Sequence, residues 1–196
     1  MTDQQTLEVY ANRIADYAKT FKRNRPDRSL RHFMAALPAG GHVHDLGCGT
    51  GQAAAMMRDA GFIVTASDAC PKMVQYARDH YDLDATVGTF DQLKATAAYD
   101  GIWANFSLLH APRTALPHHI KAIKKALRPD GIFHLGLKIG TGEQRDALGR
   151  FYSYHSVAEL QKILADNAFE ILEMAEGSEK GLAGTQDPFV IILSRG

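Results

Sequence analysis

The sequence predicts an α/β fold in which a mostly parallel β-sheet is flanked by helices and preceded by a helical extension. Short apolar runs alternate with helical patterns from Gly41 to the last residues, which is typical of a parallel sheet covered by helices. A glycine-rich turn joins the first of these runs to the first of these helices. The last two runs follow each other with no helical pattern between them, so they predict an antiparallel last strand.

The helical extension comes first along the chain. Two helical patterns, Leu7–Phe21 and Ser29–Leu37, are separated by the turn Asn24-Arg25-Pro26-Asp27 and closed by Pro38-Ala39-Gly40-Gly41. We therefore divide the chain into an extension over residues 1–37 and an α/β core over residues 38–196.

The core is predicted to contain seven strands with helices between most of them. The strands are His42–Leu46, Phe62–Ser67, Ala85–Val87, Tyr99–Asn105, Ile132–Lys138, Phe169–Met174 and Phe189–Leu193. The helices are Gly51–Ala60, Pro71–His80, Leu116–Leu127 and Val157–Asn167. Proline in the first turn starts the second of these helices, and a capping box of Ser156 with Glu159 starts the last.

Composition excludes several classes of protein. The chain has 196 residues, 45% of them hydrophobic, which suits one domain with a sizeable core. Lys and Arg together number 22, as do Asp and Glu, so no net charge attracts nucleic acid or an anionic membrane. The two cysteines, Cys48 and Cys70, lack the spacing of a disulfide framework or metal site. No apolar run is long enough to cross a bilayer, and we expect a cytoplasmic protein without a metal.

The glycine-rich turn Asp45-Leu-Gly-Cys-Gly-Thr-Gly51 lies between a predicted strand and a predicted helix, where it can bind a nucleotide. Gly49-x-Gly51-x-x-Ala54 also matches the dinucleotide fingerprint, so an NAD-dependent oxidoreductase is an alternative. Asp45 discriminates between a ligand with a pyrophosphate, such as NAD, and an adenosyl ligand with an ammonium group. A carboxylate is poorly placed beside a phosphate but attracts an ammonium group. Asp68 follows the second strand about 20 residues after the first glycine, where a carboxylate binds ribose hydroxyls in either class of ligand.

Four segments together resemble the successive motifs of the class I methyltransferases, which depend on S-adenosylmethionine (SAM). They are Asp45-Leu-Gly-Cys-Gly-Thr-Gly51, Val64-Thr-Ala-Ser-Asp68, Tyr99-Asp-Gly-Ile-Trp-Ala-Asn-Phe-Ser-Leu-Leu-His110 and Ala126-Leu-Arg-Pro-Asp-Gly-Ile-Phe133. The resemblance implies one methyltransferase domain over residues 1–196, with a lid-like extension and a three-layer Rossmann-like core whose seven-stranded sheet has a reversed last strand. The chain is most similar to small bacterial enzymes acting on small molecules, some labelled tellurite-resistance-like.

The resemblance also implies which residues contact SAM and its product S-adenosylhomocysteine (SAH). The methionine part would lie against Gly47, Cys48, Gly49 and Gly51, with Asp45 near the ammonium, and Asp68 would bind ribose. Ala69, Met73, Thr89 and Phe90 would surround adenine, and Asn105 would border the reactive methyl. Independently of the resemblance, Tyr10 and Tyr17 share one face of the first helix at helical spacing, which predicts a lid over the cofactor or, for at least one of them, core packing. Thr89 departs from the family, which often has an acidic residue there. His44 also departs, and a core histidine with hydrogen-bonded ring nitrogens is the expected reason.

The implied reaction is methyl transfer from SAM to a small-molecule acceptor. A base is needed only if the accepting atom carries a proton, and His110 and Tyr152 are the candidate catalytic residues. The segment after Asn105 lacks the Pro-Pro-Tyr of enzymes that methylate amino groups of nucleic acids, so a nucleic-acid partner is not expected. A SAM-binding protein without catalysis is a further alternative, and the protein is expected to be a monomer or homodimer.

Overall fold

The described part of the chain, residues 3–196 of a computed structural model, forms a seven-stranded sheet in the order β3-β2-β1-β4-β5-β9-β8. The first two residues of the predicted extension lie outside this range. The strands of the sheet are β1 His42–Leu46, β2 Ile63–Asp68, β3 Ala85–Val87, β4 Tyr99–Asn105, β5 Leu127–Lys138, β8 Glu170–Lys180 and β9 Gln186–Arg195. Only β9 runs against its neighbours, so the predicted reversal of the last strand is confirmed within these residues.

Helices cover both faces of the sheet and give the predicted three layers. They are α1 Gln4–Asn12, α2 Ile14–Thr20, α3 Arg28–Ala35, α4 Gln52–Asp59, α5 Pro71–Tyr81, α6 Leu116–Ala126 and α7 Val157–Asp166. Apolar residues of α6 and α7 pack on one face, and those of α3, α4 and α5 pack on the other. No helix among residues 3–196 is long and apolar enough to cross a membrane.

The strand register brings the ends of three strands together. Leu46 at the end of β1 pairs with Ser67 of β2, and Asp45 pairs with Trp103 of β4. Because these strands are parallel, Asp68 and Asn105 end at the same edge of the sheet as the glycine-rich turn.

The N-terminal helical pattern differs from its prediction in two ways. The helix predicted over Leu7–Phe21 is broken at Arg13, whose backbone has φ −124° and ψ 24°, and becomes α1 and α2. The break lets the rings of Tyr10 and Tyr17 pack edge to face with centroids 5.8 Å apart, so tertiary packing overrides the helical pattern. Helix α3 is part of the core rather than of a lid, since Phe33 is fully buried against Trp103.

Other differences concern strands. Strands β8 and β9 extend beyond the apolar runs that predicted them. The additional part of β8 consists largely of exposed polar and charged residues, which an edge strand tolerates and which an apolar pattern does not reveal. A short hairpin of β6 Glu143–Arg145 and β7 Phe151–Ser153 was not predicted. The interpretation of His44 is confirmed: its ring nitrogens lie 2.9 Å from the hydroxyls of Thr65 and Ser67.

Gly51 makes the turn into α4 possible. It has φ +84°, and a Cβ there would lie 2.6 Å from Leu83 Cδ1 and 2.8 Å from Ala77 Cβ of α5. Gly61, after the same helix, has φ +96° but open space around the position of a Cβ.

We predict that Gly61→Ala lowers the free energy of unfolding by about 1–2 kcal/mol, the cost of a left-handed alanine. Gly51→Ala should lose a further 1–3 kcal/mol, roughly the cost of overpacking. Equilibrium unfolding in urea measures both, and equal losses would show that Gly51 does not fix the packing of α4 on α5.

Candidate active site

Two adjoining cavities, of about 270 and about 80 Å³, open at the carboxyl edge of the sheet beneath α1 and α2. The residues that line both are Tyr10, Tyr17, Gly47, Asn105 and Phe106. The cavities are therefore two parts of one cleft, which we call the larger and the smaller cavity.

The glycine-rich turn forms the floor of this cleft. Gly47 has φ +82°, and a Cβ there would lie 2.2 Å from Cβ of Ser107, so no other residue fits beside the end of β4. Gly49 has φ +53° and lies directly under Tyr17, whose hydroxyl would be 3.4 Å from an added Cβ. Cys48 lines the larger cavity and Gly49 the smaller one. Gly51 is outside the lining of both, and its role in the structure is packing.

The backbone N–H groups of the turn are directed toward β2. Those of Gly47 and Cys48 donate to the carbonyl oxygen of Ser67, at 2.8 and 2.9 Å. That of Gly49 donates to Oδ2 of Asp68 at 2.8 Å. These donors are therefore engaged within the protein, whereas a pyrophosphate site needs such groups free.

Asp45 is a buried acid with an unsatisfied oxygen. The residue is 3% exposed, and its Oδ2 has no hydrogen-bond partner among the described residues. Burial, assisted by the negative charge of Asp68, raises the pKa of Asp45 to about 8, while the backbone N–H of Ala54 in α4 acts in the opposite direction. Asp45 lines the larger cavity, so a carboxylate already lies near the start of α4, and an acid with one unsatisfied oxygen suits a cation.

Asp68 is held firmly beside the smaller cavity. Its Oδ1 accepts from the N–H of Cys70 and its Oδ2 from that of Gly49, both at 2.8 Å. Burial raises the pKa of this carboxyl above its ordinary value. Each oxygen retains a lone pair, so hydroxyl groups of a ligand in the cavity can still donate to it.

The smaller cavity brings together most of the residues predicted to surround adenine. Ala69, Met73 and Phe90 all line it. Thr89 does not, because its backbone N–H binds Oε1 of Gln92 at 2.8 Å and the residue caps a short 3₁₀ turn. The position of Thr89 therefore does not support the hypothesis that this residue contacts a ligand.

The two candidate catalytic residues lie side by side, with ring centroids 4.8 Å apart. His110 lines the smaller cavity, and burial lowers the pKa of its ring to about 4. Tyr152 lines the larger cavity, and burial raises the pKa of its hydroxyl. Lys138 Nζ lies 4.0 Å from the centroid of the Tyr152 ring. His110 is thus a neutral ring that is a weaker base than a free imidazole, whereas Tyr152 remains a neutral phenol.

Sequence reasoning missed two cations in the larger cavity. Lys138 ends β5 and pairs with Asp187 at 2.6 Å; Arg150 is 3% exposed and pairs with Asp146 at 2.6 Å. Lys138 could have been predicted as a site residue, because it is the charged last residue of an apolar strand, as Asp68 is. Arg150 gave no such signal. Within residues 3–196, no group of three or more His, Cys, Asp or Glu side chains is arranged to hold a metal ion.

Comparisons with known proteins show which sequences and folds the chain resembles. Residues 43–131 match the sequence model of a family described as a methyltransferase domain. The chain is 38% identical over 103 residues to a ubiquinone/menaquinone biosynthesis C-methyltransferase of Rubrivivax gelatinosus, covering 51% of this chain and 40% of that protein. It is 30% identical over 172 residues to an O-methyltransferase of Aspergillus sclerotiorum, covering 76% and 63% respectively. The chain therefore spans less than two thirds of the length of these relatives.

A solved structure has the same fold over nearly the whole chain. The 1,6-didemethyltoxoflavin-N1-methyltransferase of Burkholderia thailandensis, determined with 1,6-didemethyltoxoflavin and SAH, superposes with a TM-score of 0.74. The superposition covers 97% of this chain and 87% of that one at 21% sequence identity. The fold of this chain is the Rossmann-like methyltransferase fold.

We predict that Asp45→Asn stabilises the ligand-free protein at alkaline pH. Because the pKa of about 8 in the folded protein exceeds the ordinary 3.8, the stability associated with Asp45 is complete below about pH 4 and is lost as the pH rises through 8. The variant should gain about 1–3 kcal/mol over the wild type near pH 8.5 and nothing near pH 4.5 in urea unfolding.

Asp100→Asn is the matched control, because Asp100 accepts hydrogen bonds from His42 N–H and Arg128 and its pKa is lowered. This variant should lose stability rather than gain it. A pH-independent difference between Asp45→Asn and the wild type would contradict the raised pKa.

Proposed function

We propose that the chain is a class I, SAM-dependent methyltransferase that transfers a methyl group from SAM to a small-molecule acceptor. The observation that carries the proposal is the unsatisfied oxygen of Asp45 beside the glycine-rich turn. SAM has an ammonium group and no phosphate, and this charge pattern fits a buried carboxylate whose neighbouring backbone donors are already engaged.

The residues of the cleft fit the parts of SAM in order. Asp45 would hold the ammonium above Gly47, and Asp68 would accept from the ribose hydroxyls. Adenine would lie in the smaller cavity against Met73 and Phe90. Bound SAM supplies an electrophilic methyl group, so the chain must mainly orient the acceptor and exclude water.

The alternative of an NAD-dependent oxidoreductase receives less support. A pyrophosphate at the start of α4 would meet the carboxylate of Asp45 and would find the N–H groups of Gly47, Cys48 and Gly49 engaged. The alternative of a SAM-binding protein without catalysis is disfavoured by the larger cavity, which leaves room for an acceptor beside Asn105.

A small acceptor suits a cleft that is covered by α1 and α2. One relative is a C-methyltransferase of ubiquinone and menaquinone biosynthesis, and the structural neighbour was determined with 1,6-didemethyltoxoflavin. These names favour a small organic molecule for this chain as well. Three finer points stay predictions from the sequence. They are the resemblance to tellurite-resistance-like enzymes, the cytoplasmic location and the monomeric or dimeric state.

Calorimetry with three ligands tests the assignment of the two carboxylates. We expect Asp68→Asn to weaken SAM, SAH and 5′-methylthioadenosine alike by about 1–3 kcal/mol, roughly 5- to 150-fold in Kd, since all three contain the ribose. Asp45→Asn should weaken SAM and SAH to a similar degree but leave 5′-methylthioadenosine unchanged, because that ligand lacks the amino-acid part.

The pattern across ligands serves as its own control for misfolding, which would affect all three. Equal losses for all ligands in Asp45→Asn would remove the ammonium contact. A change of NADH fluorescence on mixing with the protein, without SAM binding, would favour the oxidoreductase instead.

A further inference from the structure

Two ion pairs supply cations to the larger cavity, and the carboxylate of one of them is saturated. Arg150 pairs with Asp146 and Lys138 pairs with Asp187, both at 2.6 Å. The carboxylate of Asp146 accepts four hydrogen bonds, one from the N–H of Leu148 and three from the N–H, Nε and Nη2 of Arg150. Four is the full capacity of a carboxylate, so Asp146 has nothing left to offer a ligand.

The Lys138–Asp187 pair, in contrast, has unused hydrogen-bonding capacity. Both residues line the larger cavity, and both side chains are largely buried. The ammonium of Lys138 has three hydrogens and donates one to Oδ2 of Asp187, which also accepts from Thr185 at 3.2 Å. Oδ1 of Asp187 accepts no hydrogen bond from any group among residues 3–196. The pair therefore has a free donor next to a free acceptor.

An aromatic surface begins directly beside this pair. Phe189 is the β9 partner of Lys138 in the sheet, and its ring packs edge to face on Phe106 with centroids 5.5 Å apart. Gly177 of β8 makes room for that ring, since a Cβ there would lie 2.5 Å from Phe189 Cζ. Both phenylalanines line the larger cavity, and Phe106 also lines the smaller one. The two rings therefore lead from the junction of the cavities to Lys138.

Phe106 is held in a strained backbone conformation. Its φ of +54° lies in the left-handed region, which bulky side chains rarely adopt. Its N–H donates to the carbonyl oxygen of Gly136 at 2.9 Å, so β5 fixes the backbone that follows β4. Strain of this kind persists where the surrounding structure imposes it, and it is frequent at binding sites. Here it places an aromatic ring at the junction of the two cavities, next to Asn105.

We propose that the acceptor is a planar ring with a lactam edge, an N–H next to a C=O group, and that Lys138 and Asp187 recognise this edge. This inference rests on the proposed function. The ring would lie against Phe106 and Phe189, since aromatic side chains pack well on a flat conjugated partner. Its N–H would donate to Oδ1 of Asp187, and its carbonyl oxygen would accept from the ammonium of Lys138. These two charged residues select the acceptor and take no part in breaking the bond to the methyl group.

The charges of the pair favour this edge over simpler acceptors. A lone carboxylate or phosphate on the acceptor would be repelled by Asp187, and a lone cation would be repelled by Lys138. A ring edge with donors only, or with acceptors only, would leave one half of the pair without a partner in a cleft that excludes water. A neutral lactam satisfies both halves at once and holds its donor and acceptor rigidly in one plane.

Calorimetry on the protein saturated with SAH tests the lactam edge with three bicyclic probes. They are quinazoline-2,4-dione, which has the edge, quinazoline, which has the same rings without it, and 2,3-dihydroxynaphthalene, which has two neighbouring hydroxyls instead. We expect the dione to bind at least about 10-fold more tightly than quinazoline, the usual effect of hydrogen bonds to charged groups.

Variants separate recognition of the edge from a purely structural role of the pair. Lys138→Met and Asp187→Ala should each weaken the dione by about 10-fold or more and leave quinazoline unchanged. A pair that only holds the β8–β9 hairpin in place would affect both probes alike. Phe106→Leu should weaken both alike, because it removes the ring against which they lie. Lys162→Met is the matched control: Lys162 pairs with Asp166 at 2.8 Å on the exposed face of α7, and its loss should change neither probe.

Each of the remaining outcomes overturns the inference. A dione that binds no more tightly than quinazoline, equal losses for the two probes in Lys138→Met or Asp187→Ala, or tightest binding of 2,3-dihydroxynaphthalene would end the assignment of a lactam edge. All three leave the proposed function standing, because binding of SAH is measured first. Absence of SAH binding would end both.

Discussion

A carboxylate buried at the end of β1 with one oxygen unsatisfied is the constraint on which the cleft depends. Asp45 lies between β2 and β4 in the sheet, so its side chain is withdrawn from water by the fold. Such a group destabilises the ligand-free protein unless it is protonated or meets a cation. The sequence nevertheless places an acid there and leaves room in front of it. In the proposed function, a cationic ligand would restore the stability that the buried acid gives up, which is the usual relation between strained sites and binding.

The cleft is assembled from segments far apart in the chain. The family match over residues 43–131 includes the glycine-rich turn and Asp68, which form the proposed cofactor end of the cleft. The acceptor end is built outside that match, where α1 contacts the β6–β7 hairpin: the carboxylate of Asp3 accepts two hydrogen bonds from Arg145, and the N–H of Phe151 donates to Thr6 Oγ1 at 2.8 Å. In the proposed function, the part shared with relatives would bind SAM, and the remaining segments would be free to select an acceptor.

Local signals in the sequence were sufficient to predict the sheet and the glycine-rich turn. Alternating apolar runs predicted the strands, the missing crossover predicted the reversed last strand, and glycines next to Asp45 predicted the turn. Contacts between distant residues were beyond such reasoning. The break at Arg13 reflects packing of α1 and α2 over the cleft, and the bond from Arg150 to Tyr10 joins residues separated by 140 positions. Gly51, predicted as a ligand contact, packs against α5, because a motif does not say which glycine faces a cleft and which faces a neighbouring helix.

A crystal structure of the protein grown with SAH would test the role of Asp45 most directly. We predict that the amino nitrogen of SAH lies within about 3 Å of Asp45 Oδ2, with the ribose hydroxyls on Asp68 and the turn unchanged in backbone conformation. Electron density for SAH in another place, or SAH in the cleft with Oδ2 of Asp45 still lacking a partner, would contradict the view that this carboxylate exists to hold the cation.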